Sequence, residues 1–487
     1  MFRLPEFRFL FLSLLLFCTS GSVAQLKISA VFSDNMVLQR DKPLPVWGKA
    51  NPGTTVIVSF LSQQKTATAT KDSNWSVILD PLQLSATPAD LVIKAESTIT
   101  FHNVLVGDVW LCSGQSNMEY PLDRRLKKYA APKNGTDLSA DEVNKPNKPS
   151  AIRYLYVERV LNKFPELPTK GWKDGNDTIV RYVSAIGYFF AKEIYEKTNV
   201  PIGIISTSWG GTRIEQWTPA SAYKQYGAFK QFITSDTFKI DGMHPGQMFK
   251  GMIEPLIPFS IKGVLWYQGE SNCMIEDQAT YLEKFGVFVK SWRTLFNGDP
   301  LPFYTVQISP FLYTSRKDPK KHSAELLPKF WEAQAMCTVI PGTDMIVTTD
   351  LVDNLKDIHP SYKWVVAHRL ALKALAREYD HNVGESSGPV IKSVKRKRNK
   401  LILSFSHAGN GLISSDGQPL SWFSIAGKDG KFVPATAVIK NNRVEIFSAE
   451  IKKPKYIRFA WNEAAQPNLF NKDGLPAMPF RTDRFSN

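Results

Sequence analysis

The chain has 487 residues, 43% of them hydrophobic and 12% aromatic, and a net charge of +15. This composition excludes a disordered or low-complexity chain and supplies material for more than one core. The charge is largely dispersed. Its one dense run, Lys392–Lys400 (KSVKRKRNK), lies between two strand-like segments and reads as a solvated hairpin loop, not a nucleic-acid patch. A basic surface also suits an acidic glycan.

Met1–Gln25 reads as a targeting segment. Arg3 and Arg8 precede the short apolar run Phe9–Phe17, and Ser22-Val23-Ala24 is a small-residue cleavage site. We therefore take residues 1–24 as a signal peptide and expect a secreted or periplasmic protein. Phe17 makes Cys18 a poor lipoprotein cysteine. No later stretch has the length of a transmembrane helix, so no stable membrane insertion is expected. Cleavage leaves Cys112, Cys273 and Cys337, enough for one disulfide and a spare thiol or for three small buried residues. No spacing suggests a structural metal, and no cofactor is expected.

From residue 25 to 105, short alternating strands are separated by turn signals at Asn51-Pro52-Gly53 and Asp72-Ser73-Asn74, the pattern of a small β-sandwich or jelly roll. From 106 to 380 the grain changes. Strand-like runs at Val106–Leu111, Val200–Ser206, Ile261–Tyr267, Phe303–Ile308 and Asp344–Thr349 alternate with helical patterns at Ser184–Thr198, Ala279–Phe296, Leu327–Val339 and Ser361–Tyr379. Such alternation predicts an α/β domain, a parallel sheet with helices on both faces. The long polar loop Asp123–Ser150 is expected to cover a site or to be mobile. From 388 to 487, strands return as a second β domain.

Four strand ends in the α/β region carry glycine and polar residues: Ser113–Asn117, Ser206–Trp217 (STSWGGTRIEQW), Gln268–Asn272 (QGESN) and Asp350–Pro360 (DLVDNLKDIHP). The carboxyl edge is where open α/β sheets hold their ligands, so four loaded ends point to one shared site. In the first, a strand ends in Gly-x-Ser. Taken alone, Ser116 is equally well a nucleophile or part of a Ser/Gly-rich helix cap. Acyl transfer from serine also needs a base, a group that orients it, and oxyanion donors. Of seven histidines, His359 alone combines an edge loop with nearby acids. Asp357 is two residues away, on the same side of an extended loop, with Asp353 as the alternative orienter. Gly210-Gly211, the Ser116 N–H and the Gln268 amide are the candidate oxyanion donors. Gln115, Asn117, Arg213 and Glu270 are candidate supporting or substrate-contacting residues. A Glu270–Asp350 pair would instead suit glycoside hydrolysis, but leaves Ser116 and His359 idle. A non-catalytic glycan-binding protein is the remaining alternative.

GQSNM at Gly114–Met118, SWGGTRIEQW at Ser208–Trp217, WYQGESN at Trp266–Asn272 and DIHP at Asp357–Pro360 resemble the sialate O-acetylesterase family of SGNH-type hydrolases. VFSDNMVLQR near the start and FAWNEAAQPNLFNKDGLPAMPFRTD near the end extend the resemblance over most of the chain. It implies a flavodoxin-like hydrolase domain flanked by β-rich modules, acting without metal on acetyl esters of sugars through an acetyl-serine. It also implies Ser116 as nucleophile, His359 as base, and Gly211 and Gln268 at the oxyanion. Position 356 is a lysine where an Asp-x-x-His spacing would need an acid, so Asp357, Asp353 or a Ser–His dyad remain open. Gln268 also stands where many such enzymes use Asn. The expected partner is an O-acetylated glycan, 9-O-acetyl sialate ahead of acetylated xylan or another plant polysaccharide.

Overall fold

A computed structural model describes residues 26–146, 148–162, 166–296, 300–317 and 320–483. The targeting segment expected at 1–24 lies outside them. The fold is built on one long strand, Thr98–Gly114. Its first half pairs antiparallel with Ser85–Lys94 in the N-terminal β region. Its second half is the central strand of a parallel sheet, flanked by Ile202–Ser208 and Gly263–Tyr267. Val104 to Gly114 are all buried, the mark of a strand covered on both faces. The strand thus runs unbroken through the Leu105–Val106 junction at which the sequence pattern changes. The N-terminal β residues Val46, Val58 and Ile93 share one hydrophobic core with Trp110, Ile204 and Trp266.

Outward from the centre, the sheet continues through Phe303–Val306 to Thr343–Ile346 on one side and through Ile152–Val157 to Thr169–Asp174 on the other. Without the 152–174 pair, the parallel strands taken in chain order lie as 2-1-3-4-5, the flavodoxin-like arrangement. The additional antiparallel pair, Ile152–Val157 with Thr169–Asp174, is a finding of the structure. Helix Ala185–Thr198 covers the face of Trp110, which meets Phe190 edge-on at 5.0 Å. Helix Tyr281–Leu295 covers the other, where Phe288 packs on Trp266 at 4.4 Å. The α/β reading therefore holds, with helices on both faces.

The motif near the start anchors the central strand. The Arg40 guanidinium and the Gln39 amide both hold the fully buried Asp108 carboxylate, and the Val109 N–H donates to Gln39 Oε1. The C-terminal strands enclose a separate core around Leu403, Ile425, Ile446 and Phe459. That region docks on the α/β region through Arg458–Glu325 at 2.7 Å and Arg481–Glu332 at 2.9 Å. The basic run does form a hairpin, but all its cations except Arg398 lie on the strands themselves: Val390–Lys397 pairs with Lys400–Ser406 and only two residues turn. Cys112, Cys273 and Cys337 are buried free thiols. Among the described residues, no helix is long and apolar enough to cross a membrane.

Candidate active site

The site lies at the carboxyl edge, where strand order reverses between Thr98–Gly114 and Gly263–Tyr267. Gly114 is required there. Its φ is +136°, and a Cβ would stand 2.1 Å from the Tyr267 carbonyl oxygen. The chain then turns, with the Gln115 N–H bonded to that same carbonyl at 3.0 Å, into the single helical turn Ser116–Glu119. Ser116 is half-buried at its first position, where a backbone N–H has no intrahelical acceptor.

Ser116 Oγ lies 2.9 Å from His359 Nε2. These residues are 243 positions apart and meet because the loop after Thr343–Ile346 folds back across the edge. Asp357 is the acid brought to the histidine. Its Oδ1 accepts the His359 backbone N–H at 2.9 Å and stands 3.5 Å from His359 Nδ1. Hydrogen bonding to His359 holds the Asp357 carboxyl below the usual range despite partial burial. Asp353 is committed elsewhere, accepting the Lys133 N–H and the Tyr362 hydroxyl, each at 2.8 Å. The polar loop at 123–150 does cover this region: the Tyr129 ring lies 4.7 Å from the imidazole, and Ser361 Oγ donates to the Ala130 carbonyl.

Gly210 of the second motif lies against the same point. A Cβ on Gly210 would meet Ser116 Cβ at 3.1 Å, and the Gly210 N–H is taken by Glu119 Oε2. Gly211 is exposed, at φ +77°, with open space beside it. The Gly210 N–H is therefore committed within the protein. The expectation for Gln268 is corrected. Its side chain is fully buried, and its amide nitrogen faces Asn272 Oδ1 at 2.7 Å, Gln115 Oε1 at 3.2 Å and the Thr212 carbonyl at 3.3 Å. Both amide hydrogens are absorbed by the protein. Gln268 braces the turn because its longer side chain carries the amide past the edge and into the core.

The supporting residues sort by burial. Gln115 Oε1 gathers the Gln268 amide and the Gly269 and Ser271 N–H groups, so it ties the first motif to the third. Arg213 braces, donating to the Asp241 carbonyl at 2.8 Å. Asn117 is fully buried and makes three contacts: to Glu270 Oε1, to the Ile358 carbonyl and from Lys363 Nζ. Glu270 is buried against Asn117, and Asp350 is held bidentately by Arg369. Lys363 and Tyr129 were not legible as site residues. Lys363 did leave a signal: it falls on the stripe Val366, Ala367, Leu370, Ala374 of helix Lys363–Glu378, so its position is a core position.

A serine, a histidine and an aspartate in contact at the edge of a 2-1-3-4-5 sheet form the arrangement of an SGNH-type esterase. The comparisons agree. The family described as "Carbohydrate esterase, sialic acid-specific acetylesterase" matches residues 106–376. A carbohydrate acetylesterase of Xanthomonas citri superposes with a TM-score of 0.82 at 33% identity, over 94% of this chain and all of that one. The human sialate O-acetylesterase is 29% identical over 430 residues, covering 82% of this chain and 80% of the human protein; that of Pongo abelii is 27% identical over 511 residues, 97% and 95%. The chain belongs to the sialic acid-specific acetylesterase family and is a carbohydrate esterase.

Proposed function

We propose that the chain is exported and removes acetyl groups from sialic acids, 9-O-acetyl sialate foremost, through an acetyl-Ser116. The observation that carries the mechanism is the 2.9 Å contact between Ser116 Oγ and His359 Nε2 at the sheet edge. His359 takes the hydroxyl proton as Oγ attacks the acetyl carbonyl carbon. The oxyanion is received by the Ser116 and Gly211 N–H groups. The intermediate collapses as His359 returns the proton to the sugar oxygen, which leaves as an alcohol. Water, deprotonated by His359, then attacks the acetyl-serine; acetate departs and Oγ recovers its proton. Asp357 steadies the imidazolium in both halves. The sialate reading is supported by the names of the curated relatives and by the net charge of +15, which suits an acidic glycan, and export by the Arg3–Ala24 leader pattern.

The test is acetate release by wild type and Ser116→Ala from 9-O-acetylated sialoglycan, acetylated xylan and an aryl acetate. We expect the sialoglycan to be the best substrate and the variant to lose about 10⁴-fold or more in kcat. Preference for xylan overturns the substrate and keeps the mechanism. Substantial turnover by a folded Ser116→Ala overturns the mechanism. Export is tested by N-terminal sequencing of the periplasmic or extracellular protein, with Gln25 expected first.

A further inference from the structure

We propose that Lys363 and Glu270 are positioning residues for the Ser116–His359 pair. Acting through Asn117, they fix the geometry of nucleophile and base and, as opposite charges on the amide that holds the loop of that base, set the pH range in which it works. The proposal rests on the assignment of Ser116 and His359 given above.

The geometry is a three-way staple. Asn117 directly follows the nucleophile. Its Nδ2 donates to Glu270 Oε1 at 2.5 Å and to the carbonyl of Ile358, the residue before His359, at 3.0 Å; its Oδ1 accepts Lys363 Nζ at 2.6 Å. Both amide hydrogens and the amide oxygen are engaged, so the orientation of Asn117 is fixed. The nucleophile's turn is thereby tied to the loop that carries the base. Glu270 comes from the helix after Gly263–Tyr267, and Lys363 opens the helix after the His359 loop.

A fold that needed only cohesion here would be served by apolar side chains, because burying two charges is costly. These charges are also incompletely satisfied. Glu270 Oε2 is buried without a hydrogen-bond partner among the described residues. Lys363 Nζ has Asn117 as its acceptor and otherwise lies over the rings of Tyr120 at 4.7 Å and Tyr267 at 5.5 Å. Burial pulls the Lys363 ammonium down to about 7, only partly offset by Glu270 and Asp357. Burial likewise pushes the Glu270 carboxyl up, against the pull of Asn117, His359 and Lys363. The groups that interact with His359 are Asp357 from its own loop, Tyr129 from the covering loop and Glu270 from the third motif; Lys363 reaches the loop through Asn117 and acts on Asp357 and Glu270, with Tyr120 and Tyr267 flanking it.

The sign of each effect follows. A Glu270 carboxylate favours the imidazolium and a Lys363 ammonium opposes it. Glu270→Gln should therefore lower the midpoint at which His359 titrates, and Lys363→Met should raise it, each by about half a pH unit or more. The midpoints are read by NMR of the His359 ring in a Ser116→Ala background, where no turnover is needed. In the active background, the acidic limb of kcat/KM on an aryl acetate should move the same way. Each variant should also lose about tenfold in kcat with KM within twofold of wild type. Should Lys363→Met not fold, Lys363→Gln keeps a donor to Asn117 without the charge and carries the same upward expectation. Opposite shifts establish the device. Shifts of the same sign, or unmoved midpoints, overturn it and leave Asn117 as simple packing. Because the NMR reading uses Ser116→Ala, persistence of acetate release in that protein overturns the nucleophile assignment without touching the coupling.

Discussion

Lys363 and Lys284 are both fully buried on the core faces of helices near the sheet's carboxyl edge, yet their surroundings are opposite. Lys284 Nζ is enclosed by Glu215 at 2.8 Å and by Asp241 and Asp277 at 2.6 Å each. Burial alone would lower its ammonium, but Glu215 and Asp277 outweigh burial and hold it above the usual lysine value. Asn272 completes this network, donating to Glu215 and Asp277 and accepting from Gln268 and the Ile214 N–H. Lys363 faces one amide oxygen and two rings, and burial wins. A cation with every donor matched is a brace whose charge stays fixed. A cation left short of partners beside the reacting groups is a charge that the site can adjust.

Breaking the two networks should separate fold from chemistry. Lys284→Met leaves Asp277 buried without a cation and Glu215 with only Arg213 at 3.9 Å, so we expect unfolding in urea to lose about 3–5 kcal/mol, with kcat of the folded fraction little changed. Lys363→Met, with Glu270 able to take up a proton, should cost less than about 1.5 kcal/mol. If both variants lose stability equally, the distinction between brace and adjustable charge fails.

The next largest effect belongs to the reacting side. Asp357 meets His359 Nδ1 at 3.5 Å with a third of its side chain exposed, so it steadies the imidazolium less than a closely bonded, buried acid would. Asp357→Asn is expected to lower kcat/KM by about 10²-fold, or roughly 2.7 kcal/mol of transition-state stabilisation, with an unchanged urea midpoint. Asp353→Asn, which disturbs only the contacts to Lys133 and Tyr362, should stay within threefold. A reversal of these two results would move the orienting role to Asp353.

Much of this was legible in the chain because its signals are local. Apolar runs that end in Gly-x-Ser or Gln-Gly-Glu mark strand ends, and a parallel sheet brings such ends to one edge. His359 could be picked from seven because loop position and neighbouring acids are readable in sequence. The Ile152–Val157 and Thr169–Asp174 pair was missed: separated in the chain by residues 158–168 rather than by a two-residue turn, and broken by a register shift between Thr169 and Trp172, it lacks a hairpin signal. Direction within the site was also hidden. A glutamine at a strand end can aim its amide at solvent or core, and only the partners decide. Lys363 shows the same limit, since a charge on an apolar stripe says that it is buried and not what it faces.

Gln268 makes the smallest but most discriminating case, because it stands where the two networks approach. If its amide received the oxyanion, Gln268→Ala should cost about 10²–10³-fold in kcat. As the structure places it, the amide links Gln115, behind the nucleophile, to Asn272 in the Lys284 network, and Tyr281 donates to its oxygen at 3.0 Å. Truncation then leaves buried donors and acceptors without partners, a loss of about 1–3 kcal/mol in stability. Turnover measured well below the melting transition should fall by less than tenfold, because in the proposed mechanism the oxyanion is received by the Ser116 and Gly211 N–H groups. A folded Gln268→Ala that is as stable as wild type and a hundredfold slower would return the residue to the oxyanion, and would mean that its amide turns outward when substrate binds.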